Sequence, residues 1–371
     1  MTKALIVGGG IGGLATAWVL SRQGIDVDLI ERNAEVRALG SGITLIGPSL
    51  RALSRLGVLD ECLTEGFGCS EMLVCTPAGD PLISIPLPSA EQGAPGLLGM
   101  TRPDLHRVLS RRALAEGVTV RTGISAQSID DLAETVRVEL TDGSVGEVDL
   151  VIGADGLRST VREMVLGTHE PIFRGQVCIR AVLDRPAEIT TEMQFHGCPL
   201  THVGFTPISA TKMYLYCCVP APDATRPPQA DLPRLLREHL APFGGPVAAV
   251  RDQITDPAAV HYAPLETIVV PQPWYRGRTV LVGDAAHSTT PQLAAGGAMC
   301  LEDALVLGEE IANATNIPDA LHAYSKRRFD RCKYVVDTSV QLSAWQIQPE
   351  TPDAEQQRLS GEAFAILAGP Y

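Results

Sequence analysis

Two glycine-rich stretches stand nearly three hundred residues apart, GGGIGG at Gly8–Gly13 and GDAAHSTTPQLAAGGA at Gly283–Ala298. Both suit a backbone that must approach a ligand closely, since glycine places no Cβ between the peptide N–H groups and what they bind. In the first, the apolar run Lys3–Val7 leads straight into Gly8, Gly10, Gly12 and Gly13, and a helical pattern follows over Leu14–Gln23. Gly8 permits the tight turn, Gly10 opens the backbone to a pyrophosphate, and Gly13 lets the helix pack on the sheet. The anion then meets free N–H groups at the helix N-terminus. A second apolar run, Val27–Ile30, ends in Glu31, where a carboxylate can accept hydrogen bonds from adenosine ribose hydroxyls. Arg32 follows, within reach of the adenine or its phosphate.

The second stretch begins where the apolar run Thr279–Val282 reaches Gly283 and Asp284. A dinucleotide site joined by a distant acid-ended strand points to FAD as the ligand. Gly40–Pro48, rich in small residues, reads as a loop passing close to that cofactor, with Gly42 in it.

The elements that hold these residues follow from periodicity. Helical patterns cover Ser49–Leu56, the stretch from Thr101 through Leu114, about Cys300 to Ile311, and Pro318–Leu342. Val118–Arg121, Val136–Leu140 and Val148–Ile152 read as strands, the last apolar enough to be covered on both faces, and Asp142-Gly143 marks a hairpin. The texture changes between Phe173 and Tyr262, where strand-like His202–Thr206 and Lys212–Val219 precede a proline-rich connector and a helix over Leu232–Leu240. The expected fold is α/β: a Rossmann-like FAD-binding domain (1–172 and 263–371) with an inserted β-sheet substrate domain (173–262) and a C-terminal helical segment.

Composition narrows the function. A formal net charge of −13 and a pI near 5.1 argue against a polyanion-binding surface, so no nucleic-acid partner is expected. Nine cysteines show neither CxxC nor zinc spacing, which suits reduced thiols in a cytoplasmic protein. With no His/Cys cluster spaced for zinc, no metal site is expected, and no run of 18 or more apolar residues occurs, so no membrane span is expected.

Three motifs in this order resemble the single-component FAD-dependent aromatic hydroxylases, the para-hydroxybenzoate hydroxylase family, over essentially the whole chain. They are GGGIGG with Glu31 and Arg32, Ala154–Arg162 (ADGLRSTVR), and Gly283-Asp284 with its loop. The resemblance implies that Asp155 lies by the pyrophosphate and assists the passing nicotinamide, although the same segment also reads as a strand-to-helix turn with a capping Asp. It further implies that Asp284 bonds a ribityl hydroxyl, that Arg102 stands near the ribityl and phosphate groups, and that Ala126 touches adenine. The Pro291–Ala298 loop, with Gly296 and Gly297, would open a helix whose amides face the flavin pyrimidine edge. Where the family commonly has Gly-Gln-Gly, this chain has Ala294-Ala295-Gly296-Gly297 and lacks the glutamine.

The implied cycle has NADH or NADPH reduce FAD, oxygen add to give a flavin C4a-hydroperoxide, and its distal oxygen attack an electron-rich ring. Tyr214 matches a substrate-side tyrosine of the shorter relatives that include urate hydroxylase. That relative's arginine falls at His202 and its aspartate at Gln292, so urate is not the expected substrate; a small phenolic or N-heteroaromatic ring is. His202 is a candidate base on its ordinary pKa or else a structural residue; Tyr214 and Tyr216 alternate with Met213 and Leu215, so one of these pairs packs inward, and Tyr214 is expected on the pocket side. A halogenase or epoxidase on the same fold stays open, although Trp345–Pro349 lacks the second tryptophan of the halogenase signature. So do a non-catalytic FAD-bound module and a monomer or homodimer.

Overall fold

Four of the five residues of β1 (Lys3–Val7) are buried and apolar, and a strand apolar on both faces belongs in the middle of a covered sheet. In the computed structural model, which describes residues 2–34, 41–89, 93–198, 200–348 and 353–371, it stands there. Gly40 and Pro349 lie outside the described residues. Helix α1 (Ile11–Ser21) starts at once, with extended Gly10 at its N-cap, and returns the chain to β2 (Asp26–Glu31), parallel to β1 with Ile30 opposite Val7.

The segment expected as a loop up to Pro48 is instead largely a strand, β3 (Gly42–Ile46), followed by α2 (Gly47–Leu56) and α3 (Leu59–Glu65). The reason is non-local: it pairs antiparallel with a strand over fifty residues on. After β4 (Phe67–Cys69), β5 (Glu71–Cys75) and β6 (Pro81–Pro86) comes that partner, β7 (Leu97–Thr101), with Gly42 opposite Thr101. Thr101 caps α4 (Arg102–Ala115), its Oγ1 accepting the Asp104 N–H at 3.0 Å.

Strands β8 (Thr119–Thr122), β9 (Ala126–Asp131), β10 (Val136–Leu140) and β11 (Val145–Val148) follow, with Gly143 at φ +82° in the β10–β11 hairpin. The single strand expected over Val148–Ile152 breaks at Asp149, whose Oδ2 accepts the Lys3 N–H at 2.7 Å. Only β12 (Leu150–Gly153) joins the parallel sheet beside β1. After α5 (Thr160–Leu166), β13 (Ile172–Asp184), β14 (Glu192–Phe195), β15 (His202–Pro207) and β16 (Lys212–Pro220) build a second sheet. The chain adds α6 (Leu232–Leu240), α7 (Gly245–Arg251), β17 (Val260–Val269), β18 (Tyr275–Arg276), β19 (Thr279–Leu281), β20 (His287–Ser288), α8 (Gly296–Asn313), α9 (Ile317–Gln346) and α10 (Asp353–Ala368).

The nucleotide-lobe sheet runs β18-β19-β12-β1-β2-β8. The second sheet, β20-β17-β13-β16-β15-β14-β5-β6, draws β5 and β6 from well before residue 173. Along β13, Val177, Ile179, Ala181 and Leu183 enter a core shared with Met213, Leu215, Cys217 and Val219 of β16 and with Leu236, Leu240 and Val247 of α6 and α7. Period-two alternation therefore turns Cys178, Arg180, Tyr214, Tyr216 and Cys218 to the opposite face. All nine cysteines are free and mostly buried. No helix among the described residues is long and apolar enough to cross a membrane.

A buried charge cluster ties the second glycine-rich stretch to α8 and α9. Asp303 accepts from the Gly283 N–H (2.8 Å), His287 Nε2 (2.6 Å) and Arg328 Nε (2.7 Å). Arg328 also pairs with Glu302 at 2.9 Å, which Arg331 reaches at 2.8 Å. Burial works against the Asp303 carboxylate, yet His287 and Arg328 hold its pKa down at about 2; burial likewise opposes the His287 imidazolium, and Asp303 outweighs it, raising that pKa. The Asp303 contribution is thus present above the ordinary carboxylate pKa and lost only as pH falls towards about 2. The His287 contribution is complete below its ordinary value and fades only as pH rises through the raised one. Asp303→Asn leaves Arg328 and His287 buried without their carboxylate and should cost about 3–5 kcal/mol. Thermal melts between pH 5 and 8 should show Tm lower by about 4–6 °C, and an unchanged Tm would refute the assignment.

Candidate flavin and substrate site

The glycines of the first stretch divide by what demands them. Gly8 has φ +113°, and a Cβ on it would lie 2.4 Å from the Ala154 carbonyl oxygen; one on Gly13 would lie 2.0 Å from the Gly8 carbonyl oxygen. The protein's own packing excludes side chains there. A Cβ on Gly10 would meet no protein atom within 4 Å, and one on Gly12 only Cys300 Cβ at 3.6 Å. Open space at a helix N-terminus, beside backbone free of side chains, fits a pyrophosphate. Glu31 borders it, accepting the Gly9 N–H at 2.9 Å through Oε2 and the Asn33 N–H at 2.9 Å through Oε1. Arg32 is exposed, and Ala126 is buried at the start of β9. The Asp155 carboxylate is engaged locally: it accepts from Ser159 Oγ (2.5 Å), Thr160 N (2.8 Å) and Val161 N (3.1 Å), fixing the start of α5. Arg162 on that helix donates to the Ala285 carbonyl at 2.9 Å and so joins the two acid-bearing motifs.

At the other end of the cleft Asp284 is exposed on its own account yet so surrounded by protein that burial raises its pKa, against the charges of His287 and Arg102. Arg102 shares its electrostatic surroundings with Arg180, Tyr214, Asp284 and Cys300; burial and Arg180 lower its pKa. Residues far apart in the chain are thereby gathered at one place. Among the described residues, Arg102 Nε, Ser41 Oγ, Thr289 Oγ1 and Thr290 Oγ1 are buried with no hydrogen-bond partner. These unpaired groups, with Asp284 and the side-chain-free start of α8 at Gly296 and Gly297, are ones that the ribityl hydroxyls and ring edge of a flavin would satisfy. The loop missing the family glutamine turns at Ala294, which takes the left-handed conformation at φ +47°.

The residues expected on the substrate side lie on the second sheet's outer face. Tyr214 lies there, and Gly42, expected at the cofactor, makes room for it: a Cβ on Gly42 would fall 2.3 Å from Tyr214 Cγ. Tyr216 crosses Gly204 in the same manner and stands 5.8 Å from the Tyr214 ring and 5.7 Å from His202. The ordinary pKa that recommended His202 as a base is not kept. Burial and the neighbouring His196 push it down to about 3, so the imidazole is neutral and a weak proton acceptor at pH 7. Gln292 donates to Gln346 Oε1 at 3.0 Å, while its own carbonyl oxygen is buried and unpaired.

Two residues that sequence reasoning did not single out complete this face. Arg180 is half-buried, pairs with no carboxylate among the described residues, and makes its hydrogen bond to Cys178 Sγ at 3.4 Å. An arginine interrupting the apolar alternation Val177–Leu183 was the available signal. Glu192 is 3% exposed and accepts from Tyr216 Oη at 2.9 Å and from Thr206 Oγ1; its short strand offered no such signal.

The chain as a whole is similar to known proteins. Residues 1–339 match the family model described as FAD binding domain. The chain is 31% identical over 373 residues to the putative FAD-dependent monooxygenase YetM of Bacillus subtilis, covering 100% of both. It is 37% identical over 313 residues to the 2-heptyl-3-hydroxy-4(1H)-quinolone synthase of Pseudomonas aeruginosa, covering 82% of this chain and 79% of the relative. The crystal structure of Klebsiella pneumoniae HpxO complexed with FAD and uric acid superposes with a TM-score of 0.86 at 28% identity, covering 100% of this chain and 97% of that one.

Gly10→Ala should leave the apoprotein Tm unchanged while lowering retained FAD on the order of tenfold or more, whereas Gly13→Ala should destabilise the fold itself. Asp284→Ala should also reduce FAD content, read from the flavin absorbance of purified protein; equal content in the variant and the wild type would remove Asp284 from the site. Sequence match, fold and cradle agree, and the chain belongs to the FAD binding domain family as a FAD-dependent monooxygenase of the single-component aromatic hydroxylase type.

Proposed function

We propose that the chain hydroxylates a small N-heteroaromatic or phenolic ring bearing an ionisable hydroxyl or oxo group, with NADH or NADPH as donor and molecular oxygen as co-substrate. The observation that carries this reading is Arg180, a half-buried guanidinium with no carboxylate partner among the described residues, on the sheet face that bears Tyr214. A cation in that position is matched by an oxyanion on the ligand. Bound FAD supplies the electrons and the activation of oxygen.

The residues of the chain do the rest. Arg180 stabilises negative charge on the ring oxygen and so raises the nucleophilicity of the adjacent ring carbon. The unpaired carbonyl of Gln292 is an acceptor for a ring N–H; Gln176, Cys178 and Arg180 share one face of β13, so both recognition elements flank the same strip of sheet. Tyr214, held neutral by burial, packs on Gly42 and keeps water from the ring. A 4(1H)-quinolone, the ring named for the Pseudomonas relative, carries both an N–H and an oxo group. Replacement of two positions of the urate hydroxylase pattern by His202 and Gln292 turns the reading away from urate.

The test is oxygen uptake and NAD(P)H oxidation by FAD-loaded protein with 4-hydroxyquinoline, 6-hydroxynicotinate, 4-hydroxybenzoate and urate. At least one of the first three should accelerate both and yield a product one oxygen atom heavier. Arg180→Met should raise KM for that ring about 10- to 100-fold, as expected for a lost charge-assisted hydrogen bond. Background oxidation alone across the panel would sink the reading.

A further inference from the structure

A chain of side-chain amides forms where the last turn of α9 crosses β13. Its members are Gln176 on β13, Gln292 in the loop before α8, and Ser343 and Gln346 on α9. Gln176 and Ser343 are buried, 1% and 0% exposed. Gln176 Nε2 donates to the Ser343 carbonyl at 2.9 Å, and Ser343 Oγ donates to Gln176 Oε1 at 2.8 Å. Gln292 Nε2 donates to Gln346 Oε1 at 3.0 Å and, at the longer distance of 3.5 Å, to Gln176 Oε1. One polar atom of the chain stays open: Gln292 Oε1 is buried with no hydrogen-bond partner.

The direction of every amide follows from one end. Turning a glutamine amide over keeps its shape and exchanges a donor for an acceptor, so neighbours that can only donate or only accept decide which way it lies. The Ser343 peptide carbonyl is such a neighbour. It stands in the final turn of a helix, where carbonyls run out of intrahelical donors, and the Ile347 N–H bonds Ala344 instead. That carbonyl commits Gln176 Nε2 to itself and turns Gln176 Oε1 towards Gln292. Facing this oxygen, the Gln292 amide must present its NH2 group; reversed, it would set two carbonyl oxygens against each other and give up both of its hydrogen bonds. The Gln292 oxygen is therefore left pointing away from the chain as a fixed acceptor. Gln176 shares its face of β13 with Cys178 and Arg180, and the Gln292 loop runs on into the start of α8.

We propose that Gln176, anchored on the Ser343 carbonyl, is a positioning residue that locks the Gln292 amide with its oxygen towards the ring, and that the site thereby selects rings carrying an N–H as well as an oxo group over phenols. This selectivity rests on the ring-hydroxylation reading above and narrows it. A ring in its oxo, N–H tautomer satisfies both recognition groups at once, its oxygen accepting from Arg180 and its N–H donating to Gln292. A phenol whose one hydroxyl has ionised against Arg180 has no proton to offer, and the buried Gln292 oxygen goes unmet. Gln176 touches neither ring nor cofactor in this scheme and acts through Gln292.

The experiment measures dissociation constants on FAD-loaded protein from the ligand-induced change in the flavin spectrum. Its ligands are 4(1H)-quinolone and 1-naphthol, which have the same two-ring outline and differ by N–H against C–H. The wild type should bind the quinolone about tenfold more tightly, as expected when a buried acceptor is met rather than left open. Gln176→Met, close to glutamine in length, frees the Gln292 amide to turn over and should lower this ratio about tenfold with FAD content unchanged. Gln292→Leu should lower it equally and tests the oxygen without disturbing the α9 anchor. Ser343→Ala removes the hydroxyl but keeps the peptide carbonyl that directs Gln176, so its ratio should match the wild type. A general loosening of the site would weaken both ligands alike and leave the ratio where it was. An unchanged ratio in Gln176→Met, or a wild type with no preference for the N–H ring, overturns the assignment. Oxygen uptake on the same samples separates it from the parent reading: an N–H preference in binding with no ring oxidised sinks hydroxylation and leaves the amide lock standing.

Discussion

A carboxylate as deep as Asp303 exists only because every direction from it offers a donor. The donors come from three places: the peptide N–H of Gly283, the imidazole of His287 and the guanidinium of Arg328. They fix the strand end at β19, the glycine-rich loop and the long helix α9 against α8. Asp284 is the residue after Gly283, so its position is set by a charge it never touches. Trp274, fully buried and 5.0 Å from the His287 ring, closes the same cluster from the side. The second glycine-rich stretch is thus mounted on one electrostatic knot, while the first is mounted on steric fit, Gly8 against Ala154 and Gly13 against Gly8.

The second sheet solves a different problem. One of its faces folds the domain and the other, in the proposed function, meets the ring, and the two-residue period of a strand separates these duties. Odd positions of β13 and β16 fill the core with aliphatic groups and a thiol; even positions carry Arg180, Tyr214 and Tyr216. Bulk on the working face is accommodated by absences elsewhere, since Gly42 and Gly204 leave the space that the two tyrosine rings occupy. Polar satisfaction there is incomplete by design of the sequence: Arg180 lacks a counter-ion among the described residues and the Gln292 carbonyl lacks a donor, as befits a surface built to receive one.

What could be read from the residues alone was local. The turn from β1 into α1, the helix start at Thr101, the Asp142-Gly143 turn and the helix at Leu232–Leu240 are set by neighbouring residues, and their structures follow. What escaped reading depends on partners distant in the chain. The stretch before Pro48 becomes strand β3 because β7 is there to pair with it; β5 and β6 join the second sheet across a hundred residues. His202 loses its near-neutral pKa to burial and to His196, and Asp155 spends its carboxylate on the start of α5. Glu192 looked like any surface acid until Tyr216 and Thr206 were seen to close on it. Several residues named from motifs are brought together by the fold, whereas their protonation and pairing are decided by tertiary surroundings.

The alternation along β13 and β16 has a consequence for how such a protein diversifies. A substitution at an even position reshapes the cavity without entering the aliphatic interior, and one at an odd position does the reverse. Selection for a new ring can then act on one register of the strand while the other preserves foldedness. Lineages that share the scaffold are in this way free to drift in chemical taste without first acquiring spare stability to survive the change.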